Sequence, residues 1–430
     1  MNEAIDGNRM YGWAKELFPI NRSLTGDGVR ETLRYIKQFV PELVAHEVPS
    51  NTIAFDWKVP QEWKVNNAYI IDPNGNKICD FKVNNLHLMG YSEPVNKTLS
   101  LKELQAHLYS IEDMPDAIPY VTSYYERNWG FCLSHSQRLS LTEGSYQVVI
   151  DTNLFNGHLT YGEFVLPGET ENEILLSTYI CHPSLANNEL SGPVVCMALI
   201  EQLKLMTDRR YTYRVLFLPE TIGSIVYISK HLKRLKKHLK AGFIVTCVGD
   251  EREYSYLSSR NSRTLADRAA LSALKNLVGS FKQYSFLERG SDERQFCAPG
   301  VDLPVCSIMR SKYGEYPEYH TSLDDLTLIT PAGLRGAADV IVGAIQLLEK
   351  NKVYKATNLC EPQLGKRGLY PNTSNMQQDY TQVKMLTNLL AYADGGSDLL
   401  ELADKIRANI FELLPLVESL EKAGLIKVQD

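Results

Sequence analysis

The sequence predicts an α/β fold in which a mostly parallel β-sheet is covered by helices on both faces. Along residues 142–358, short apolar runs of strand length alternate with longer stretches whose apolar residues recur at helical spacing. This alternation is typical of a parallel sheet with helical crossovers. With 430 residues, the chain is also long enough for two or three domains and a large hydrophobic core.

The composition is that of an ordinary globular protein. Hydrophobic residues make up 44% and charged residues 22%, and a formal net charge of −6 predicts no overall attraction to nucleic acid or to an anionic membrane. The eight cysteines lack Cys-x-x-Cys spacing, which favours a reduced, cytoplasmic protein over a disulfide framework. Residues 1–13 lack the apolar core of a signal peptide, and no run of about 18 apolar residues predicts a membrane span.

Two amphipathic helices are predicted at the start of the chain. They cover Met10–Phe18 and Val29–Val40, and the turn formers Thr25-Gly26-Asp27-Gly28 precede the second helix. Two interpretations of the intervening loop, Asn21–Gly26, stay open. It is either a capped connection between helices, which is favoured, or a part of the active cleft.

A small β-rich domain is predicted as an insertion at residues 56–141. Ala68–Phe81 contains two short strands around an Asn-Gly turn, which is a strong hairpin signal, and Leu101–Leu108 has the pattern of one amphipathic helix. The aromatic stretch Tyr120–Phe131 either packs within this domain, which is favoured, or lines a neighbouring cleft. The main sheet is expected to resume near Gly144.

The best candidate for a functional site follows the apolar run Glu173–Ile180, which is predicted to be a buried strand. Cys181 and His182 end this strand, turn formers follow, and a helix is predicted to begin at Pro193. Ligands bind at the carboxyl edge of such sheets, so His182 is expected at a binding site. The other predicted elements are strands Tyr146–Asp151, Leu159–Leu166, Tyr213–Leu218, Gly242–Val248 and Val305–Ile308, and helices Ser224–Leu239, Thr264–Val278 and Pro331–Lys350.

The C-terminus is predicted to form a third unit after a linker rich in Pro, Gly and Asn, Leu359–Asn375. Three helical patterns and a final short strand resemble a winged helix-turn-helix. The third helix, Ile410–Ala423, would be the recognition helix, but it carries three glutamates and one lysine. Because phosphate contacts need positive charge, protein contact or dimerisation is favoured over DNA binding.

Three further motifs accompany the stretch around His182, at residues 217–224, 290–296 and 319–325. Together, the four resemble the zinc aminopeptidase family, which includes leucyl aminopeptidases and glutaminyl cyclases. The chain is more similar still to bacterial aminopeptidase-like proteins linked to polysaccharide biosynthesis. Those proteins carry a small inserted domain and a C-terminal winged helix. The resemblance implies a hydrolase-like domain of residues 1–55 and 142–358, an insertion at 56–141 and a winged helix at 376–430.

The resemblance also implies metal ligands, but the match is incomplete. His182 and His320 match the first and last histidine ligands and are therefore expected within a few ångströms of one another. Asn188 stands where a bridging Asp is expected, and Thr221 replaces a ligand Glu. A neutral amide is a weaker ligand than a carboxylate, so one zinc ion is predicted rather than two. Its further ligand would be a carboxylate from Asp250, Asp292, Glu220 or Glu189, with Asn188 nearby.

Other residues of these motifs are candidates for catalysis and substrate binding. Glu220 matches the general base of the family, although it could instead be an acid at a helix N-terminus. Arg294 is a candidate fork for a substrate carboxylate or another anion, or else a structural partner of Asp292 or a neighbouring acid. Tyr313 and Tyr319 either border the pocket as hydrogen-bond donors or pack in loops.

The function that these residues predict is zinc-dependent hydrolysis of an amide bond, in a peptide or an amino-sugar amide. Two alternatives from other classes stay open. One is a non-catalytic binding or scaffold protein that keeps the hydrolase fold, and the other is a regulator that binds DNA through the winged helix. The predicted partners are a small-molecule or peptide substrate and a second copy of the chain through its C-terminal domain, with no nucleic acid and no membrane.

Overall fold

A computed structural model of the chain describes residues 5–369 and 379–429. The described residues form strands that fall into one large sheet and several small ones. The strands are β1 (Val44–Pro49), β2 (Ile53–Ala54), β3 (Trp57–Lys58), β4 (Glu62–Ile71), β5 (Lys77–Ile78), β6 (Val95–Ser100), β7 (Leu108–Tyr109), β8 (Phe131–Cys132), β9 (Ser145–Phe155), β10 (His158–Leu166), β11 (Glu173–Tyr179), β12 (Thr212–Leu218), β13 (Leu239–Ile244), β14 (Ser255–Leu257), β15 (Lys282–Tyr284), β16 (Val305–Met309), β17 (Val353–Ala356), β18 (Asp394–Asp398) and β19 (Ile426–Val428).

Helices separate most of the strands of the large sheet. They are α1 (Gly7–Leu17), α2 (Asp27–Phe39), α3 (Leu101–Leu104), α4 (His135–Leu139), α5 (Ser191–Leu205), α6 (Ile222–His238), α7 (Leu265–Leu277), α8 (Glu293–Phe296), α9 (Pro331–Lys350), α10 (Asp379–Tyr392), α11 (Leu399–Ile406) and α12 (Ile410–Lys422). The predicted helix Leu101–Leu108 is shorter than expected. α3 ends at Leu104, a turn of 3₁₀ helix follows, and Leu108 already begins β7.

The large sheet has eight strands in the order β1-β10-β12-β11-β13-β16-β14-β15. Its centre is parallel, since β11 runs parallel to β12 and to β13, and β13 runs parallel to β16. Antiparallel pairs flank this centre, β10 with β12 on one side and β14 with β16 on the other. All seven residues of β11 are buried, as expected for a strand whose two faces are both covered. The predicted α/β fold class is therefore confirmed.

A close approach of helix α5 to this sheet depends on Gly192. A Cβ atom at this position would lie 2.2 Å from the backbone oxygen of Val245 and 2.3 Å from Oγ1 of Thr178. Neither contact is sterically allowed, so only glycine lets the first turn of α5 lie this near the strand ends. The candidate site is built at this edge of the sheet.

One strand belongs to a different sheet from the one we expected. We predicted that the main sheet resumes near Gly144, but β9 pairs with β4 and β6 in a separate four-stranded sheet. Exposed and buried residues alternate along most of β9, as in an antiparallel sheet with one solvent face, whereas β11 is buried throughout. The main sheet therefore resumes at β10.

A second difference lies near the candidate site. The predicted strand Gly242–Val248 ends at Ile244, although the residues from Val245 to Val248 stay fully buried. Cys247 has a positive φ of 51°, which no extended strand accommodates. The apolar run is therefore part strand and part buried loop, a distinction that hydrophobicity alone does not make.

The described residues form two compact units, 5–267 with 282–339 and 268–281 with 340–429. In the second unit, β17 pairs with β18 and with β19 to give a three-stranded sheet. Arg407 adopts a left-handed conformation in the turn between α11 and α12. This arrangement is the predicted winged helix-turn-helix. Residues 370–378 lie outside the described residues. They include the end of the predicted linker and the first residues of the winged helix predicted at 376–430.

By length and composition alone, one helix in the described part of the chain, α9, could cross a membrane. Of its most apolar 18-residue window, 61% is buried, which is also the pattern of a core helix. The sequence predicts no membrane span here, because Arg335 and Asp339 interrupt the apolar run.

Candidate active site

The candidate site lies where β11 and β12 end, at the carboxyl edge of the parallel strands. His182 follows β11 and Glu220 follows β12, while His320 comes from the loop between β16 and α9. Together with Arg294, these three residues line one cavity of about 300 Å³. The structure thus brings four residues of the sequence prediction to one place.

The two histidines are close neighbours, as predicted. Their ring centroids lie 5.4 Å apart with an angle of 41° between the rings. Burial lowers the pKa of each imidazole to about 3, so both are neutral and each has a nitrogen lone pair. Among the described residues, Nε2 of His320 is buried and has no hydrogen-bond partner. A pair of neutral imidazoles with a free nitrogen is suited to a metal ion.

The other nitrogen of His182 is held by a buried ion pair. Nδ1 lies 2.8 Å from Oε2 of Glu189, and Oε1 of Glu189 lies 3.4 Å from Nε of Arg22. The same Nε of Arg22 donates to the backbone oxygen of His182 at 3.0 Å. Both charged side chains are fully buried. The arrangement orients the ring so that Nε2 of His182 lies 3.6 Å from Oε2 of Glu220.

Glu220 has the chemistry of a proton carrier. Its backbone N–H donates to Sγ of Cys181 at 3.1 Å, and its carboxylate is 19% exposed, so it is accessible from the cavity. Burial raises the pKa of Glu220, and the nearby negative charge of Asp292 raises this pKa further. A carboxyl group whose pKa lies nearer neutrality can both accept and release a proton at working pH.

The turn after Glu220 is strained and tightly held. Thr221 has a positive φ of 64°, which is rare for a β-branched residue and costs on the order of 1–3 kcal/mol. Its backbone N–H donates to Oδ1 of Asp292 at 2.8 Å, and its hydroxyl accepts from Arg294 at 2.5 Å. Ser224 also donates to Oδ1 of Asp292. These contacts maintain the conformation that directs Glu220 into the cavity.

Two predicted site residues therefore have different contacts from those expected. Asp292 accepts hydrogen bonds from the turn with one oxygen, while Oδ2 is buried without a partner in the described residues. Arg294 hydrogen-bonds Thr221 and not Asp292, which argues against the structural pairing that we considered. Nε of Arg294 is buried and has no partner among the described residues, so the guanidinium keeps capacity for an anion.

Asn188 lies in a single π-helical turn, Ala186–Leu190, that precedes α5. Its Nδ2 donates to the hydroxyl of Tyr179 at 2.9 Å, and its Oδ1 is buried without a partner in the described residues. The turn is clamped by Asp324, whose two oxygens accept from the backbone N–H groups of Asn187 at 2.6 Å and Asn188 at 3.0 Å. Burial raises the pKa of Asp324 to about 6.

Asp250 is occupied by structural hydrogen bonds. Its carboxylate accepts from the backbone N–H and the hydroxyl of Ser311, from the side chain of Asn187 and from the backbone N–H of Arg252. These four bonds use the lone pairs that a metal ion would need. The structure therefore gives Asp250 the role of joining three loops, and its predicted role as a ligand has no support in these contacts.

The two tyrosines of the prediction differ in position. Tyr319 stacks on the ring of His320, with centroids 3.9 Å apart and an interplanar angle of 15°. Tyr313 donates to Glu293 at 2.6 Å and accepts from the backbone N–H of Gly290, so its hydroxyl is already used. It does not line the cavity. Of the pair, only Tyr319 touches a site residue.

Three side chains near the histidines were not among the predicted site residues. Tyr120 contacts both imidazoles edge-on, with centroids 5.2 Å from His182 and 5.1 Å from His320. Tyr120 belongs to the aromatic stretch Tyr120–Phe131, for which packing within the inserted domain is the favoured interpretation from sequence and a place at a neighbouring cleft the alternative. Arg22 belongs to the loop Asn21–Gly26, for which a place near the cleft was the less favoured interpretation. Nothing in the local sequence around Asp324 indicated its clamp on a turn 137 residues earlier.

Cys181, His182 and Glu189 also place potential ligand atoms within 4.8 Å of one another. This second set is chemically less suitable for a metal ion. Burial raises the pKa of Cys181 well above its ordinary value, and only a thiolate ligates zinc. The Glu189 carboxylate is already shared between Arg22 and Nδ1 of His182. Nε2 of His320, which is unpartnered in the described part of the chain, and Nε2 of His182, which lies 3.6 Å from Glu220, are more suitable for a metal ion.

Two family models match the chain. One, described as a domain of unknown function (DUF4910), matches residues 11–351, and the other, a winged helix-turn-helix, matches residues 352–428. A protein of Clostridium acetobutylicum named "Putative polysaccharide biosynthesis protein with aminopeptidase-like domain" is 42% identical over 429 residues. The alignment covers 99% of this chain and 98% of that protein.

Solved structures share this architecture. A crystal structure from Clostridium acetobutylicum, described as a "putative peptidase", is 41% identical and covers 98% of this chain and 96% of its own, with a TM-score of 0.92. A zinc aminopeptidase from Bacillus subtilis is 12% identical, with a TM-score of 0.59 over 81% of this chain and 96% of its own. A glutaminyl cyclase from an Acidobacteriales bacterium is 14% identical, with a TM-score of 0.50 over 81% of this chain and 96% of its own. The last two likenesses show the fold.

Proposed function

The chain belongs to the DUF4910 family and has an aminopeptidase-like fold, and from these premises we propose that it hydrolyses an amide bond with one zinc ion. The observation that supports this proposal most is the cavity at the sheet edge. It combines two neutral imidazoles, a carboxyl group with a raised pKa and an arginine with a free nitrogen. These are the groups that metal-assisted amide hydrolysis requires.

The donor set fits zinc. Two imidazoles on one tetrahedral zinc ion have ring centroids about 5 Å apart, because each Zn–N bond measures about 2.0–2.1 Å. The 5.4 Å between His182 and His320 agrees with this value. Nε2 of each histidine would hold the ion, with Glu220 as the nearest carboxylate. When bound, zinc would polarise the substrate carbonyl and lower the pKa of a water molecule.

The protein's own residues would supply orientation and proton transfer. Glu189 keeps the Nδ1 proton of His182 in place, which leaves Nε2 as a lone-pair donor. Glu220 would take the proton from the attacking water and give it to the leaving amine. Arg294, held by Thr221, would bind an anionic group of the substrate through its unpartnered Nε. Asp292 would hold the turn that follows Glu220, by accepting hydrogen bonds from Thr221 and Ser224.

The substrate is proposed to be a peptide or an amino-sugar amide. A relative with 42% identity is named for polysaccharide biosynthesis, which supports the second class. We further propose a cytoplasmic protein whose winged helix contacts protein and not DNA, through a second copy of the chain. The glutamates of α12 support that choice, because they would repel phosphate. We also propose the domain boundaries that the sequence predicts, namely 1–55 with 142–358, 56–141 and 376–430.

The test of catalysis is Glu220→Gln, which removes the titratable group and keeps the side chain's shape. We expect turnover of aminoacyl-arylamides or N-acetylated amino sugars to fall roughly 10²–10⁴-fold, the usual contribution of a positioned proton carrier. Melting temperature and zinc content should change little. Glu42→Gln is the matched control, because Glu42 is exposed and only pairs with Lys204. Full activity in Glu220→Gln would refute the assignment.

A second candidate is a binding protein without catalysis. Asn188 in place of a bridging carboxylate and Asp250 held by four hydrogen bonds both favour this alternative. The discriminating measurement is elemental analysis of protein purified without chelator or a nickel column, followed by activity assays. Zinc-loaded protein that cleaves no amide substrate would favour the binding protein over the enzyme.

A further inference from the structure

A larger cavity, of about 540 Å³, adjoins the one that holds the histidines. The two cavities share three lining residues, Trp57, Tyr124 and Tyr125. The inner cavity measures about 300 Å³, at the lower end of the range for small-molecule sites. A substrate with its reacting amide in the inner cavity would therefore extend past the three aromatic residues into the outer one.

Aromatic rings connect the two cavities. Tyr120 contacts both imidazoles, and its hydroxyl hydrogen-bonds the hydroxyl of Tyr124. Tyr124 in turn meets the ring of Tyr91 edge-on at 5.4 Å. Tyr91 is fixed by a 2.7 Å hydrogen bond to Thr25. This side of the cleft is therefore preorganised and needs little ordering when a ligand binds.

The outer rings present free aromatic surface. Trp57 and Tyr125 meet edge-to-face at 5.5 Å, and they are 36% and 57% exposed. Trp57 stands on the short β2–β3 hairpin and Tyr125 in the loop before β8. Two large exposed rings that converge on one cavity are unusual on a protein surface, where such residues are mostly covered.

Polar groups surround these rings, and their charges balance. Asp56 and Glu126 oppose Lys58 and Arg127 in the lining of the outer cavity. Arg127 donates to Oε1 of Gln61 at 2.6 Å, which fixes a planar polar edge beside the aromatic faces. With two acids against two bases, the cavity has no net preference for a charged ligand. It offers flat apolar faces and hydrogen-bonding groups together.

We propose that the outer cavity binds a sugar ring of the substrate, with the ring packed against Trp57 and Tyr125. A pyranose presents a C–H face to an aromatic ring and hydroxyl groups to polar side chains at its edge. The cavity is open to water, which a hydroxylated ring tolerates better than an apolar peptide side chain does. This inference rests on the proposed function, of which it specifies the amino-sugar class of substrate.

The test is binding of chitotriose, the trimer of N-acetylglucosamine, to the full chain by saturation-transfer NMR and tryptophan fluorescence. We expect binding that weakens about tenfold or more in Trp57→Ala and in Tyr125→Ala, since aromatic stacking contributes on this scale. Trp57→Phe should retain most of the affinity, which separates stacking from misfolding. Tyr392→Ala, an exposed aromatic residue of the C-terminal unit, is the matched control.

The outcomes separate this proposal from that of the hydrolase. Glu42→Gln, at an exposed residue that pairs with Lys204, should bind chitotriose as well as the wild type does. Binding that depends on Trp57 without any amide cleavage would support the sugar site and count against the enzyme. Cleavage of peptide amides without chitotriose binding would overturn the sugar site and keep the enzyme. Stronger binding of a phenylalanyl-phenylalanine amide than of chitotriose would also overturn it.

Discussion

At the scale of single residues, Glu189 makes the contact that matters most for the proposed metal site. It lies between Nδ1 of His182 and the guanidinium of Arg22, and all three side chains are buried. Burial raises the pKa of Glu189, while the positive charge of Arg22 opposes this shift. In its ionised form, Glu189 keeps the proton on Nδ1 and so determines which nitrogen of His182 faces the cavity.

Glu189→Gln should therefore weaken zinc binding about 10–100-fold, the usual effect of losing a carboxylate that orients a histidine ligand. The measurement is zinc retained after competition with a chelator, and Glu201→Gln, whose carboxylate pairs with Arg9 on the surface, is the control. ¹⁵N NMR of the imidazole should show a changed tautomer of His182. Equal zinc retention in both variants would contradict this role.

His182, Glu220 and His320 were expected at one site because their motifs together resemble those of the zinc aminopeptidase family, and the predicted strand end at His182 supported its position. Asp250 was a candidate ligand in the same prediction, because the sequence does not reveal the hydrogen bonds that Asp250 accepts from loops far apart in the chain. Arg22 was not predicted as a site residue for a related reason, since its contact with Glu189 joins residues far apart in the sequence. Local sequence indicates where a strand ends but not which distant side chain fills the space beside it.

At the scale of elements, the π-helical turn Ala186–Leu190 is the part of the site that depends on a single side chain. Both carboxylate oxygens of Asp324 accept from its backbone, and Tyr316 donates to the same carboxylate at 3.0 Å. Without these acceptors, buried N–H groups would lose their partners. The turn also carries Glu189, so its position controls that of His182.

Asp324→Asn should accordingly destabilise the protein by about 1–3 kcal/mol, because the amide leaves one buried N–H facing a donor. Zinc retention should fall as well. Asp325→Asn is a control one residue away, since Asp325 only caps an exposed turn at Thr327. Urea unfolding of the two variants and the wild type provides the comparison. A loss of stability in Asp325→Asn as large as that in Asp324→Asn would contradict the clamp.

The bounds of the parallel strands were predicted well from the sequence. The sheet to which β9 belongs was not. β11, β12 and β16 follow apolar runs that have no solvent face, and the bounds of each strand differ from the prediction by one residue. β9 has an ordinary strand pattern, but nothing in that pattern states which strands it pairs with. Pairing depends on the whole chain, which single segments do not encode.

At the scale of the whole molecule, the C-terminal unit includes more than the tail. From the linker, the sequence predicts that removal of residues 376–430 leaves the hydrolase-like core folded, with a cooperative thermal transition. Within the C-terminal unit, however, β17 precedes the linker and pairs with β18 and β19, which both follow it. Arg268 also forms a two-pronged ion pair with Asp398.

Removal of residues 376–430 should therefore lower the melting temperature by more than about 2–4 °C, the shift that corresponds to each kcal/mol lost in a domain of this size. Scanning calorimetry should show a broader transition, since β17 keeps neither of its neighbours. Asp398→Asn, which removes the charge that pairs with Arg268 but keeps a residue able to cap α11, should have a smaller effect. An unchanged, sharp transition in the shortened chain would restore the original prediction.

The clamp between Asp324 and the turn at 186–190 has a consequence for how the protein is made. Ribosomes deliver His182 long before they deliver residue 324, so the nascent chain carries the histidine without the acceptor that holds its neighbouring turn. Closure of a loop of this length is slow compared with local helix formation. The candidate pocket therefore cannot be completed before Asp324 has left the ribosome, and the proposed metal ion would bind only after that.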